Sequence, residues 1–223
     1  MTDAAVPTID HLLIRGGDYL KRSSDFKLVG RDDELKDVMT QLMQKDNGGI
    51  LLTGSSGVGM TAIVRGLQAA KSSTNTPVDI INKRFFWLDA DELFASGDNA
   101  DVNTKFKRIR AVLSETPNTC LVVENMGNLV ESASKTGNTH ILNGIFGDIK
   151  RGAYQAILEC QYEDLGKVLK TDTDAQSVCT IYEVKEPKKE SLREIVMSSK
   201  KGYEDFHGIR VSEQAVDTAL QLT

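Results

Sequence analysis

The feature that most constrains the fold is an apolar run followed at once by a glycine-rich turn and an amphipathic segment. The run Gly49–Leu52 (GILL) precedes Gly54–Thr61 (GSSGVGMT), and a helical pattern begins behind it. Strand, glycine-rich turn and helix in this order are the context of a phosphate-binding loop. The glycines permit torsions that point successive N–H groups at an anion, and the helix start adds its positive end. The stretch therefore predicts an α/β domain with a candidate phosphate site.

Apolar runs alternate with amphipathic segments along most of the chain, which predicts a parallel sheet with crossover helices. The predicted strands are Ile50–Thr53, Arg84–Leu88, Cys120–Glu124, Gln155–Leu158 and Cys179–Val184. The predicted helices are Asp32–Gln44, Thr61–Ala70, Thr104–Ser114, Thr139–Arg151 and Glu163–Lys170. The polar segment Ser96–Asn103 is predicted to be a loop. At 223 residues the chain is long enough to bury one substantial core.

Two segments flank the predicted sheet domain of residues 28–187. Residues 1–27 contain short apolar clusters at Ile9–Leu13 and Tyr19–Leu20 and are predicted to form a helical arm. After Glu186–Pro187 only helical patterns follow, with Ser212 as an N-cap, so residues 188–223 are predicted to begin a small helical lid. The chain stops before this lid could close a core, which predicts a fragment of a longer protein or a domain missing its last helices.

Composition excludes several classes of partner. The net charge of −5 and the scattered basic clusters argue against a nucleic-acid-binding face. No apolar run approaches the about 18 residues of a membrane span, and the N-terminus has no secretion signal. The three cysteines are far apart and share no ligand spacing with the three histidines. We therefore expect core thiols in a reducing cytoplasm and no metal held by protein ligands alone.

The candidate phosphate loop lacks one charge. Its residues are Gly54, Ser55, Ser56, Gly57, Val58, Gly59, Met60 and Thr61. Thr61 supplies a hydroxyl for Mg²⁺, but Met60 stands where such loops carry lysine, and it cannot donate a hydrogen bond. A lysine about 4 Å from a phosphate is worth about 4 kcal/mol at an effective dielectric of about 20. We expect nucleotide affinity to fall by about two orders of magnitude or more. A glycine-rich turn with no phosphate role is the alternative interpretation.

From Leu28 to its end the chain resembles the first AAA+ module of the Clp unfoldase and disaggregase family. The resemblance rests, in this order, on Leu28–Leu35 (LVGRDDEL), Gly54–Gly66 (GSSGVGMTAIVRG), Arg151–Gly152 and Glu186–Pro187. It implies a five-stranded parallel sheet with flanking helices and a helical lid. It also implies that Val29 and Gly30 lie against an adenine.

The chain departs from this family at its second nucleotide motif. There the family has an Asp for Mg²⁺ and a Glu that activates water, and this chain has Glu124 and Asn125. Glu124 could take the metal-side role, but Asn125 cannot accept a proton. A one-residue shift would make Glu124 the base and leave Val123 where the metal carboxylate belongs. An ordinary strand end with polar residues remains open.

Further departures fall at the other functional positions that the resemblance implies. Gln161 falls beside the polar sensor position and could orient a phosphate. The family's arginine pair, which reaches a neighbour's site, falls on Ser177–Val178. Its first pore loop grips a polypeptide with an aromatic residue, but Ser96–Asn103 contains none. Lysine, base, arginine finger and pore aromatic are all missing together.

The sequence is therefore interpreted as a catalytically degenerate Clp-type AAA+ domain, or pseudo-ATPase, with no catalytic residues. We expect it to act as a protein-interaction or assembly element within a chaperone or secretion machine, with other AAA+ subunits or a larger assembly as partners. No cofactor is required, and ATP or ADP with Mg²⁺ binds weakly. The first alternative is an ATP-binding domain with slow or partner-dependent hydrolysis. The second is a sensor that binds nucleotide without hydrolysing it.

Overall fold

A computed structural model describes residues 12–21, 26–44, 48–171 and 175–222. The strands among these residues are β1 Leu13–Arg15, β2 Gly49–Gly54, β3 Arg84–Leu88, β4 Thr119–Val123, β5 Gln155–Gln161 and β6 Cys179–Glu183. The helices are α1 Gly16–Lys21, α2 Asp32–Met43, α3 Met60–Ala70, α4 Val78–Ile81, α5 Ala90–Phe94, α6 Asn99–Glu115, α7 Met126–Lys135, α8 His140–Lys150, α9 Tyr162–Thr171, α10 Ala175–Val178, α11 Lys189–His207 and α12 Glu213–Leu222. Within these described ranges no helix has the length and apolar character needed to cross a bilayer.

The strands form one sheet in the order β1-β3-β4-β5-β2-β6. Every pairing is parallel except that of β1 with β3. One face buries Leu51, Leu121 and Leu158 with apolar side chains of α6 to α9. The other face buries Ile50 and Val122 with side chains of α2 and α3. Because both faces are covered, the central strands read as continuous apolar runs, which is why the sequence predicted them.

The predicted α/β fold is confirmed, but the sheet is mixed and has six strands rather than five parallel ones. The additional strand comes from the arm that was predicted to be helical. Leu13–Arg15 pairs antiparallel with β3, and among the arm's described residues only Gly16–Lys21 is helical. Residues 1–11 and 22–25 of that arm lie outside the described residues.

One predicted loop was also wrong, and helix α7 was missed. The loop predicted for Ser96–Asn103 is helical from residue 99, because the Asp98 side chain caps α6 by accepting a hydrogen bond from the Ala100 N–H at 3.0 Å. Helix α7, Met126–Lys135, was not predicted. Both helices begin at a polar side chain that accepts a hydrogen bond from a backbone N–H, and this cap sets the residue at which each helix starts.

The predicted lid segment contains the helices α11 and α12. They are joined by Arg193, which forms ion pairs with Glu213 and Asp217 at 3.0 and 2.7 Å. The Ser212 cap is confirmed, since its Oγ accepts a hydrogen bond from the Ala215 N–H at 3.1 Å. The domain boundaries themselves stay a prediction.

Candidate functional site

The candidate phosphate loop joins the end of β2 to the start of α3. Gly57 and Gly59 have φ angles of +78° and +103°, in the left-handed region that glycine adopts at least cost. Gly59 occupies the N-cap position of α3. A cleft of about 250 Å³ opens beside the loop, and its lining residues are Ser56, Gly57, Val58, Gly59, Met60, Thr61, Glu124, Asn125, Glu159 and Gln161.

Four of the predicted nucleotide-site residues do not line this cleft. Gly54 ends β2 and Ser55 is exposed. Val29 and Gly30 lie in the segment that leads into α2, and Gly30 packs against α11: a side chain there would lie 3.0 Å from the Ser191 carbonyl oxygen. This segment therefore contacts the lid. Its predicted role toward adenine stays a prediction.

The described residues that line the cleft include no lysine, arginine or histidine. Met60 is 9% exposed and belongs to the apolar cluster that also contains Val58 and Val184. Arg31 does lie near the loop, but its guanidinium group does not line the cleft. Arg31 is buried and donates hydrogen bonds to the carbonyl oxygens of Val58 and Lys185 at 2.5 and 2.8 Å. It holds the loop to the segment that follows β6.

A carboxyl group that the sequence interpretation missed forms part of the cleft. Glu159 lies in β5, is 1% exposed, and accepts a hydrogen bond from the Thr61 hydroxyl at 2.6 Å through Oε2. Its Oε1 has no hydrogen-bond partner among the described residues. Burial, aided by the nearby Glu124, raises the pKa of Glu159 to about 8, against the smaller lowering effects of the Thr61 hydrogen bond and of Arg65. One sequence signal could have identified Glu159, namely a charged residue inside an otherwise apolar strand.

Glu124 is held by the arm. The Tyr19 hydroxyl donates a hydrogen bond to Glu124 Oε1 and accepts one from Arg65 Nη2 at 2.7 Å. The Tyr19 ring stacks on Trp87 with 4.6 Å between ring centroids. Burial and the bond to Glu124 raise the pKa of Tyr19 to about 12, so the hydroxyl stays a neutral donor at physiological pH. The arm therefore fixes the carboxylate that the resemblance assigned to the metal.

Asn125 is also committed to a structural contact. Its side-chain oxygen accepts a hydrogen bond from the Asn128 N–H at 2.9 Å and so caps α7. An amide cannot accept a proton from water, and this amide oxygen is already hydrogen-bonded. Gln161 does line the cleft, at the end of β5, and its sensor role stays a prediction.

This arrangement does not fit a magnesium-bound triphosphate. Such a ligand brings several negative charges, which P-loop proteins answer with a lysine. Here the cleft presents two carboxyl groups, of which Glu159 is buried with an unpartnered oxygen. The phosphate charges would face Glu124 and the buried Glu159 carboxyl group, and no cationic side chain among the described lining residues would balance them.

Removing the Tyr19 hydroxyl is expected to destabilise the fold. In Tyr19→Phe the half-buried Glu124 and Arg65 lose their shared partner, and we expect a loss of about 1–3 kcal/mol in the free energy of unfolding. Tyr19→Ala also removes the ring from Trp87, the chain's only tryptophan, and should change its fluorescence emission. Urea unfolding monitored by that emission measures both. The control is Tyr203→Phe, because Tyr203 is 63% exposed. An equal loss of stability in Tyr19→Phe and Tyr203→Phe would contradict a stabilising role of the hydrogen bonds between Tyr19, Glu124 and Arg65.

Comparison of the sequence with curated proteins finds relatives of this chain. The chain is 28% identical over 211 residues to the chaperone protein ClpB of Porphyromonas gingivalis, covering 91% of this chain and 24% of the relative. It is 28% identical over 200 residues to the ATP-dependent Clp protease ATP-binding subunit ClpE of Bacillus subtilis, covering 88% and 28%. No family model matches. The chain thus spans about a quarter of the length of the curated relatives it matches.

Solved structures show the same fold. The Saccharomyces cerevisiae Hsp104:casein complex in its extended conformation matches with a TM-score of 0.81 at 21% identity, covering 95% of this chain and 36% of that one. The S. cerevisiae Hsp104–ADP complex matches with a TM-score of 0.81, covering 96% and 30%. Homologues of the chain are therefore Clp-type AAA+ proteins, and the resemblance predicted from the sequence is confirmed.

Proposed function

We propose that this chain, a homologue of Clp-type AAA+ proteins, is a domain that does not hydrolyse ATP and serves as a protein-interaction or assembly element. The observation that carries the proposal is the lining of the cleft, which includes Met60 and two carboxyl groups but, among the described residues, no cationic side chain. Phosphoryl transfer depends on positive charge around the phosphates and on a group that orients the attacking water. Met60 and Asn125 can provide neither.

The fold of the chain supports the proposed role as a protein-interaction element. Its sheet, flanking helices and start of a lid are those of proteins whose names describe a chaperone and an ATP-binding protease subunit. One structural match is a complex with casein, a protein ligand of that relative. We infer that a chain with this fold and without the charges for catalysis contributes binding surfaces to a larger chaperone or secretion machine.

Nucleotide titration tests the proposal. We expect a fluorescent ATP analogue with Mg²⁺ to show no saturation of binding below about 100 μM, because the absent lysine–phosphate interaction is worth about 4 kcal/mol. Phosphate release should equal that of a protein-free control. Asn125→Glu, which restores a base but no cation, should remain inactive. Saturation at micromolar analogue together with phosphate release by the unaltered chain would overturn the proposal.

One observation favours a second candidate function. The loop keeps the left-handed glycines Gly57 and Gly59, and the Thr61 hydroxyl reaches the cleft. A domain with this loop could bind nucleotide as a sensor, or hydrolyse it slowly with groups from a neighbour. The sensor predicts a rise in melting temperature with ATP or ADP and no phosphate release. Slow hydrolysis predicts release that appears only when a partner is added.

A further inference from the structure

Two carboxyl groups belong to neighbouring strand positions, since Glu124 directly follows β4 and Glu159 lies within β5. Val123 of β4 is paired with Leu158 of β5, so Glu124 and Glu159, one residue further along each strand, occupy the next matched positions. Neighbouring strands lie about 4.8 Å apart, and like charges at matched positions destabilise a sheet. Glu159 is 1% exposed and one of its oxygens has no partner among the described residues. In the unbound cleft, burial and the nearby Glu124 raise the pKa of Glu159. A cation beside this pair would favour the ionised form of Glu159 and would give its unpartnered oxygen a hydrogen-bond donor.

Arg65 and Arg31 lie near the cleft but form their hydrogen bonds with other groups, although the charge of Arg65 still lowers the pKa of Glu159. Arg65 donates to the Tyr19 hydroxyl and lies over the Tyr19 ring, 5.1 Å from its centroid. Arg31 is buried against Val58, Lys185 and Glu34. The cleft is also lined by Gln161 and Thr61, whose oxygens are further acceptors. Acceptors therefore outnumber donors among the side chains that face this space.

A second cleft continues the negative surface. It has a volume of about 300 Å³ and shares Glu124 and Asn125 with the first. Asp89 and Asp91 also line it, and the Trp87 side chain forms part of its wall. The described residues that line this cleft include no lysine, arginine or histidine. A segment that carried positive charge into the first cleft would thus find more negative charge beside it.

We propose that the cleft beside the glycine loop binds a cationic side chain, the guanidinium or ammonium group of an arginine or lysine on a partner protein. This inference rests on the proposed role as a protein-interaction element and names the chemistry of the partner. Glu124 and Glu159 are the acidic groups of the site, and Thr61 and Gln161 add neutral acceptors. The loop has the shape of an anion site, but Met60 supplies no charge and Glu159 adds a second carboxyl group, so the side chains of the cleft are complementary to a cation.

Titration of the full chain with ethylguanidinium, at constant ionic strength, tests the site. Ethylurea is the matched probe without charge. We expect ethylguanidinium to shift the backbone amide NMR signals of Gly57 and Gly59 with a dissociation constant of about 1–10 mM, typical of so small a ligand. Ethylurea should show no saturation. Equal binding of both probes, or no saturable binding of ethylguanidinium, would overturn the site.

Variants assign the binding to the two carboxyl groups. Glu124→Gln and Glu159→Gln should each weaken ethylguanidinium at least tenfold, and Glu131→Gln, at an exposed residue, should leave it unchanged. Met60→Lys supplies a tethered cation to the same space and should abolish binding, whereas Met60→Gln should keep it within threefold. Unchanged binding in both glutamate variants, or in Met60→Lys, would refute the assignment. The Met60 pair leaves the acidic network intact, so it tests the site even if a glutamate variant fails to fold.

Two peptides test whether the cation belongs to a protein. Acetyl-Gly-Arg-Gly-amide should bind at least as tightly as ethylguanidinium, and the matched citrulline peptide should not bind. Binding of the free ion without the arginine peptide would overturn the assignment to a partner side chain. ATP and phosphate release measured on the same samples separate the two proposals. Phosphate release would overturn the proposed function, and absent guanidinium binding without phosphate release would overturn this inference alone.

Discussion

Met60→Lys alone is expected to raise the affinity for ATP about tenfold or less, and Met60→Lys combined with Glu159→Gln by about a hundredfold or more. Both positions line the same cleft, and Thr61 between them already donates a hydrogen bond to Glu159. A lysine introduced alone will lower the pKa of Glu159 and pair with the carboxylate that forms, which offsets the charge of the lysine toward phosphate. Once that carboxyl is replaced by an amide, the lysine is free to meet the ligand. Titration with a fluorescent ATP analogue and Mg²⁺ measures both affinities.

Two controls separate charge from shape in this experiment. Met60→Gln with Glu159→Gln places a neutral donor at the lysine position, so it should gain much less affinity than the lysine pair. Glu159→Gln alone should change the affinity little, because it replaces a carboxyl group that is largely protonated at neutral pH and adds no cation. If Met60→Lys alone binds as tightly as the double variant, Glu159 does not oppose the nucleotide and the cleft is otherwise intact.

The central sheet was predictable because its strands are buried on both faces and read as apolar runs. The loop at Gly54–Thr61 was predictable because glycine spacing and the following helix are local properties. Strand β1 was not, since its three residues are too short to show an alternating pattern. Its pairing with β3 joins segments about 70 residues apart, and no local signal specifies such a contact.

The residues of the candidate site also fall into two groups, those that local sequence patterns identify and those that they do not. Met60 and Asn125 stand in motifs, so their missing charge and missing base were visible in the sequence. Glu159 was overlooked because its position beside Glu124 depends on the register of β4 against β5. The contact of Tyr19 with Glu124 joins residues separated by 105 positions. Local sequence patterns show that the lysine and the general base are absent, and tertiary contacts determine which side chains lie in the cleft.

The stability of the chain is expected to fall as pH rises from about 5 to about 8, through Glu159. Burial raises the pKa of this carboxyl from 4.5 to about 8, so in the folded chain it keeps its proton across a range in which the unfolded chain has released it. The unfolded state then binds fewer protons, and the free energy of unfolding decreases with rising pH. At about 1.36 kcal/mol per pKa unit, this contribution reaches at most about 5 kcal/mol, and we expect about 2–4 kcal/mol. Native proteins have only about 5–15 kcal/mol in total.

Glu159→Gln isolates this contribution. The amide oxygen can still accept the hydrogen bond from Thr61, but the side chain no longer titrates, so the variant should gain stability relative to the unaltered chain as pH rises from 5 to 9. Urea unfolding across that range measures the difference, and urea is preferable to guanidinium chloride because guanidinium is a proposed ligand of the cleft. Glu131→Gln, at an exposed carboxylate, should give a curve parallel to that of the unaltered chain. Parallel curves for Glu159→Gln as well would mean that Glu159 is ionised in the folded protein at neutral pH. The cleft would then carry a full negative charge, which would oppose triphosphate binding still more strongly.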